Sequence, residues 1–183
     1  MRKIVASTFL SLDGVMESPG EWQSPYWSDE LGEAVGAAMA DSDAMLLGRV
    51  TYQEFAPAWS SREMADDPGA DFMNNTPKYV VSTTLDTVEW NNSTLLTGDL
   101  VEEITKLKQQ PGKNISISGS AALIQSLMEQ DLIDEFQLFV HPVVLGKGKR
   151  LFKDGATQKS LQLTESKPLP KGVLVLTYQP ASA

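Results

Sequence analysis

A chain of 183 residues with 42% hydrophobic residues is long enough for one compact domain with a core of its own. It has no cysteine and a single histidine, His141, which excludes disulfides, a thiol nucleophile, thiolate metal sites and a histidine-rich metal centre. A net charge of −9 speaks against a nucleic-acid partner, which needs a basic face, and no apolar run approaches the roughly 20 residues of a membrane span.

Residues 3–12 read as a first strand rather than a signal peptide: the apolar run is short and no A-x-A cleavage site follows, so the cytoplasm is the expected compartment. Asp13-Gly14 ends that strand in a turn. Residues 15–28 form a loop with Pro19, Gly20, Pro25 and three aromatics, Trp22, Tyr26 and Trp27. Ser28 caps a helix over 29–40, with Asp29 and Glu30 at its positive end. Residues 44–47 make a short buried strand; Gly48 follows, then a helix over 49–58. The segment 60–77 is polar and irregular, with one helical turn near 70–74. Strands are expected at 78–82 and 94–96, and an amphipathic helix at 99–109 using Leu100, Val101, Ile104 and Leu107.

The clearest pattern lies at 114–152. A β-type run at 115–118 is broken by Gly119-Ser120, and Leu123, Ile124, Leu127 and Met128 then share one helical face. A strand rich in β-branched and aromatic residues follows at 136–145. Strand, turn, helix, strand is a βαβ unit, so the sheet is parallel here and its crossover right-handed. Two last strands within 161–180 flank Pro170-Lys171-Gly172 as a hairpin closing the sheet edge. The whole chain reads as one α/β domain.

Three strand ends carry small residues suited to an anion: Gly48-Arg49 with Thr51, Ser82-Thr83-Thr84, and Ser118-Gly119-Ser120. A helix N-terminus offers unpaired N–H groups, and glycine lets a ligand come close to them. Ligands of open α/β sheets lie outside the carboxyl ends of the strands. A dinucleotide with a pyrophosphate and a ribose phosphate would match two such turns and a hydroxyl cluster, with Arg49 adding fixed charge. Each turn taken alone is equally compatible with an ordinary capped junction.

The segments LLGRVTYQEF (46–55), KYVVSTTL (78–85), ISGSAALIQSLMEQDLIDEFQLFVHPVVLGKGKRLF (117–152) and STFLSLDGVME (7–17) resemble the dihydrofolate-reductase-like family. The nearest branch is the C-terminal reductase domain of the bifunctional riboflavin-biosynthesis deaminase/reductase, matched from residue 3 to about residue 178. The resemblance implies a mostly parallel sheet of about eight strands flanked by helices. It also implies NADPH as hydride donor and a pterin- or pyrimidine-like heterocycle as acceptor. Gly48, Arg49 and Thr51 match the family's first phosphate turn, Ser82 and Thr83 the hydroxyl pair near the adenosine ribose phosphate, and Ser118, Gly119, Ser120 and Ala121 the pyrophosphate turn. That last turn is often Gly-Gly in the family; here serines flank one glycine. With no His/Cys set, the zinc-dependent deaminase half is missing.

On the substrate side, Trp22 and Trp27, with Tyr26, either stack on a heterocycle or pack the loop onto the core. By the match of WSDEL (27–31) to the segment leading into the catalytic acid of dihydrofolate reductase, Glu30 is the expected proton donor; helix-dipole compensation is the other reading. Asp13 in SLDG is a second site candidate or a turn residue, and His141, mid-strand before Pro142, reads as structural. No metal is expected. A homodimer is expected, from the apolar runs at the sheet edge and from the family. A nucleotide-binding module without turnover is the alternative function.

Overall fold

The first strand of the chain lies deep in the sheet. β1 (Ile4–Ser11) is buried along almost its whole length, the mark of a strand covered on both faces. In the computed structural model, which describes residues 1–63, 65, 67 and 69–181, β1 belongs to one eight-stranded sheet. The other strands are β2 (Ser42–Gly48), β3 (Lys78–Val81), β4 (Ser93–Leu96), β5 (Asn114–Ile117), β6 (Glu135–His141), β7 (Leu161–Pro168) and β8 (Leu174–Pro180). Their order is β4-β3-β2-β5-β1-β6-β8-β7. The pairs from β4 to β6 are parallel, and β8 and β7 add the expected antiparallel hairpin at the edge.

Helices α1 (Pro19–Trp22), α2 (Asp29–Ala40), α3 (Arg49–Trp59), α4 (Ala70–Asn75), α5 (Leu100–Gln109) and α6 (Ala121–Glu129) connect the strands. α2 starts where the sequence places it, with Ser28 Oγ accepting from Leu31 N at 3.2 Å. Asp99 caps α5 in the same way, accepting from Glu102 N at 3.0 Å. Two expectations are corrected. The loop at 15–28 contains α1 and a further 3₁₀ turn, Ser24–Tyr26. The strand expected over 136–145 ends at His141, because Pro142 has no N–H for the ladder and its neighbour β1 has already ended at Ser11. Within the polar segment 60–77, residues 64, 66 and 68 lie outside the described residues.

Alternation along β2 assigns the helices to faces. Ala44 and Leu46 pack with Ile104 of α5 and with Leu123, Ile124, Leu127 and Met128 of α6. Met45 and Leu47 pack with Tyr52 of α3 and Met73 of α4. Neighbouring residues of a strand point to opposite faces, so α3 and α6 leave adjacent strands in opposite directions. Such a divergence opens a crevice at the carboxyl ends of the strands.

One side chain fixes that crevice. Ser120 Oγ accepts a hydrogen bond from Gly48 N at 2.9 Å and donates one to Thr51 Oγ1 at 2.7 Å, sewing the start of α6 to the start of α3. Ser120 has a left-handed backbone, φ +58°, where an L-residue costs about 1–2 kcal/mol. Gly119 beside it, φ +72°, could not carry a Cβ without approaching Thr51 Cγ2 at 3.1 Å. Ser120→Ala keeps the backbone cost and loses both hydrogen bonds, whereas Ser120→Gly loses the bonds and relieves the backbone. Urea denaturation should therefore find the alanine variant less stable than the glycine variant by about 1 kcal/mol. Equal stabilities would show that the serine backbone stores no strain.

Candidate functional site

The crevice opens into a cavity of about 530 Å³. At one end its wall includes Gly48, Arg49 and Thr51 from the α3 turn and Ser118, Gly119, Ser120 and Ala121 from the α6 turn. Fold and stitch thus bring two of the three anion turns together. The third stands apart. Ser82 is 6% exposed and its Oγ accepts from Thr84 N at 3.1 Å and Leu85 N at 3.0 Å, so it caps its own turn; Thr83 is exposed, and neither lines the cavity. Arg49 is exposed at the cavity edge, with Nη1 donating to Gln53 Oε1 at 3.0 Å.

The other end of the cavity is formed by Thr8 and Phe9 of β1, by Met16 and Glu17, and by Lys149. Two loops are zipped together here: Met16 N donates to Lys149 O at 2.9 Å and Leu151 N to Gly14 O at 3.0 Å. Gly148, φ +112°, lets them close, since a Cβ there would meet Val15 Cγ1 at 2.7 Å. Asp13 is the clamp of this zipper. Its carboxylate accepts from Ser11 Oγ at 2.7 Å, Leu145 N at 3.1 Å and Gly146 N at 2.8 Å, and Arg150 Nη2 lies 3.6 Å away. The Ser11 hydroxyl, then the two backbone N–H groups, hold its pKa well below the usual carboxylate range. At neutral pH Asp13 is an ionised acceptor engaged in structure, not a reservoir of protons.

Glu30 is exposed in the first turn of α2 and lies outside the cavity wall. The carboxylates in the wall are Glu17 and Glu54. Glu17 Oε1 lies 3.6 Å from Lys149 Nζ, and its Oε2 accepts from Lys149 N at 3.2 Å. A signal for Glu17 existed in the chain, directly after SLDGVM, but only the zipper shows that it turns towards the cavity.

Trp22 and Trp27 also stand outside the wall. The Trp22 indole donates to Glu17 O at 2.9 Å, and its ring meets His141 edge-on at 5.3 Å. Trp27 lies against Gly32, where an added Cβ would sit 3.3 Å from its ring. Both pack the loop 15–28 onto the domain. The anchor of Trp22, His141, is fully buried among Phe9, Trp22 and Tyr26. Its Nδ1 sits 2.8 Å from Phe139 O and 3.3 Å from Leu10 O, which places the proton on that nitrogen, and Nε2 has no partner.

Among the described residues no cluster of metal ligands is present, and no helix is long and apolar enough to cross a membrane. Burial lowers the pKa of His141 from 6.5. The unfolded chain then binds more protons than the folded one as pH falls below about 6.5, so stability declines in that direction. Melting temperature should drop between pH 7 and about pH 5. His141→Asn, which retains a donor for the two carbonyls, should flatten the part of that slope near pH 6. An unchanged slope would show that His141 titrates alike in both states.

The chain matches the family described as RibD C-terminal domain over residues 2–175. It is 30% identical to the uncharacterized protein YyaP of Bacillus subtilis (strain 168), covering 97% of this chain and 94% of that one. It is similar in structure to a putative riboflavin biosynthesis protein from Shewanella sp. PV-4, with a TM-score of 0.77, 21% identity, and coverage of 98% and 99%. A dihydrofolate reductase from Enterococcus faecalis, complexed with NADP(H) and RAB-propyl, superposes with a TM-score of 0.66 at 15% identity, covering 98% of this chain and 97% of that one. The sheet order, the hairpin edge and the extent of these matches agree: the chain belongs to the RibD C-terminal domain family and has the dihydrofolate-reductase-like fold.

Proposed function

We propose that this protein is an NADPH-dependent reductase of a small pterin- or pyrimidine-like heterocycle, acting in the cytoplasm as a homodimer. The observation that carries the reading is that one cavity has two chemically different ends. One end is a pair of sewn helix starts, rich in backbone donors and hydroxyls; the other is a wall of β1 residues beside an ion pair. NADPH, when bound, supplies the hydride.

The chain's own residues provide the rest. The backbone N–H groups of Gly119, Ser120 and Ala121 and the start of α3 suit a pyrophosphate, and the missing Cβ of Gly119 is what lets the α6 turn sit against Thr51. Arg49 brings fixed charge to an otherwise acidic protein and, at the edge of the cavity, is assigned to the ribose phosphate. Ser82 and Thr83 follow β3, the neighbour of β2, and suit the ribose-phosphate end, with Thr83 exposed there. Glu17 and Lys149 form the ionisable pair at the ring end, within the wall that Glu30 does not reach. Exposed Leu163 and Leu174 on the β7–β8 hairpin support pairing of two copies across that edge.

Two outcomes check the reading. Arg49→Ala should weaken NADPH by about 1.5–3 kcal/mol, the size of a lost charged hydrogen bond, and NADH much less, as read by calorimetry. Equal losses for both cofactors would remove Arg49 from the ribose phosphate. In a substrate screen that follows the loss of NADPH absorbance, Glu17→Gln should cut turnover about 10²-fold while Glu30→Gln leaves it within about twofold. The reverse order would restore Glu30 as proton donor. NADPH binding with no turnover on any heterocycle tried would favour a binding module.

A further inference from the structure

Thr8 is 4% exposed and lines the cavity, yet its Oγ1 is buried with no hydrogen-bond partner. No other cavity-lining side chain among the described residues leaves a buried polar atom unpaired in this way. The neighbouring hydroxyls of β1 are satisfied: Ser7 Oγ donates to Gln137 Oε1 at 3.3 Å, and Ser11 Oγ donates to Asp13 and accepts from Val15 N at 2.9 Å. A buried, unpaired hydroxyl destabilises a fold, and valine would fill the same volume without that cost. Threonine at this position therefore points to a partner that arrives with a ligand.

The topology says which part of the ligand. In the order β3-β2-β5-β1, the sewn helix starts follow β2 and β5, and Thr8 lies one strand further on, on the side away from β3. Ala6 pairs with Ile117, so Thr8 is two residues past that pair, level with Gly119. A dinucleotide with its pyrophosphate at the helix starts and its adenosine end towards β3 brings its nicotinamide ring to β1. Phe9 and Met16, beside Thr8 in the wall, offer apolar surface for such a ring. A hydroxyl both donates and accepts, which suits a primary carboxamide with its NH₂ and C=O. Rotation of χ1 to another staggered well carries Oγ1 into the place the methyl held, so the hydroxyl can turn to meet it.

We propose that the Thr8 hydroxyl is the side-chain anchor for the carboxamide of the nicotinamide ring, reading the end of the cofactor from which hydride leaves. This rests on the NADPH reading above. The test compares wild type, Thr8→Val and Thr8→Ser by calorimetric titration with NADPH and with phosphorylated ADP-ribose, the cofactor without its nicotinamide ring. Thermal melting of the unliganded proteins accompanies it. Thr8→Val should bind NADPH about tenfold more weakly. It should bind phosphorylated ADP-ribose as wild type does and melt no lower than wild type. Thr8→Ser should recover NADPH affinity to within about threefold of wild type. Unchanged NADPH affinity in Thr8→Val, with both ligands bound by wild type, overturns the assignment of Thr8 alone. Equal losses for both ligands, with a lower melting temperature, also overturn it, since the hydroxyl then serves the fold. A wild type that binds neither ligand overturns the cofactor reading and this proposal with it.

Discussion

The cavity depends on one hydroxyl. Ser120 lies 72 residues from Gly48 and 69 from Thr51, and its Oγ holds both. Without that link the starts of α3 and α6, which depart to opposite faces of the sheet, would be joined only through the strands beneath them. The link also gives a reason for serine rather than a second glycine at position 120. A second glycine would adopt the left-handed backbone freely but would leave Gly48 N and Thr51 Oγ1 without this partner. The chain accepts backbone strain at Ser120 and offsets it with two hydrogen bonds across the crevice.

A second constraint closes the opposite end. Asp13 gathers the Ser11 hydroxyl, two backbone N–H groups and Arg150, so that the turn after β1 and the long connection after β6 act as one unit. Glu17 and Lys149 reach the cavity rim because of that zipper. The same connection begins just past His141, whose buried ring supports Trp22 and Tyr26 from the loop 15–28. Rim and aromatic cage therefore share a foundation in the carboxyl ends of β1 and β6. Phe9 belongs to both, touching His141 at 5.4 Å and lining the cavity.

Charge sharpens the chemistry of the site. In a protein of net charge −9 an anion entering the cavity would meet a repulsive field, which local donors would have to overcome. The cavity wall supplies them mainly as backbone N–H groups and hydroxyls, which carry no countercharge to be neutralised elsewhere. Its two cations behave differently: Lys149 is committed to Glu17, while Arg49 donates to the neutral Gln53.

Local pattern determined much of this protein. The helical face Leu123, Ile124, Leu127 and Met128, the Ser28 cap and the glycine turns at 48 and 119 follow from period and backbone preference, which act between near neighbours. Those signals fixed the βαβ unit, the parallel sheet, the edge hairpin and the strand-to-helix turns at 48 and 119. Tertiary structure decided what near neighbours cannot: which strands lie side by side, and so which turns share a cavity. It left Ser82 capping its own turn, kept Glu30 outside the wall, turned Trp22 onto His141, and brought in Thr8, Phe9 and Glu17, which lie in the family-like segment 7–17 but which no local pattern marks as cavity residues. Lys78 shows the reason most plainly. It reads as the charged start of a strand, yet it is fully buried because its Nζ finds the carbonyls of Asn74, Thr76 and Asn91. Asn91 lies within reach because β4, which follows it in the chain, pairs with β3.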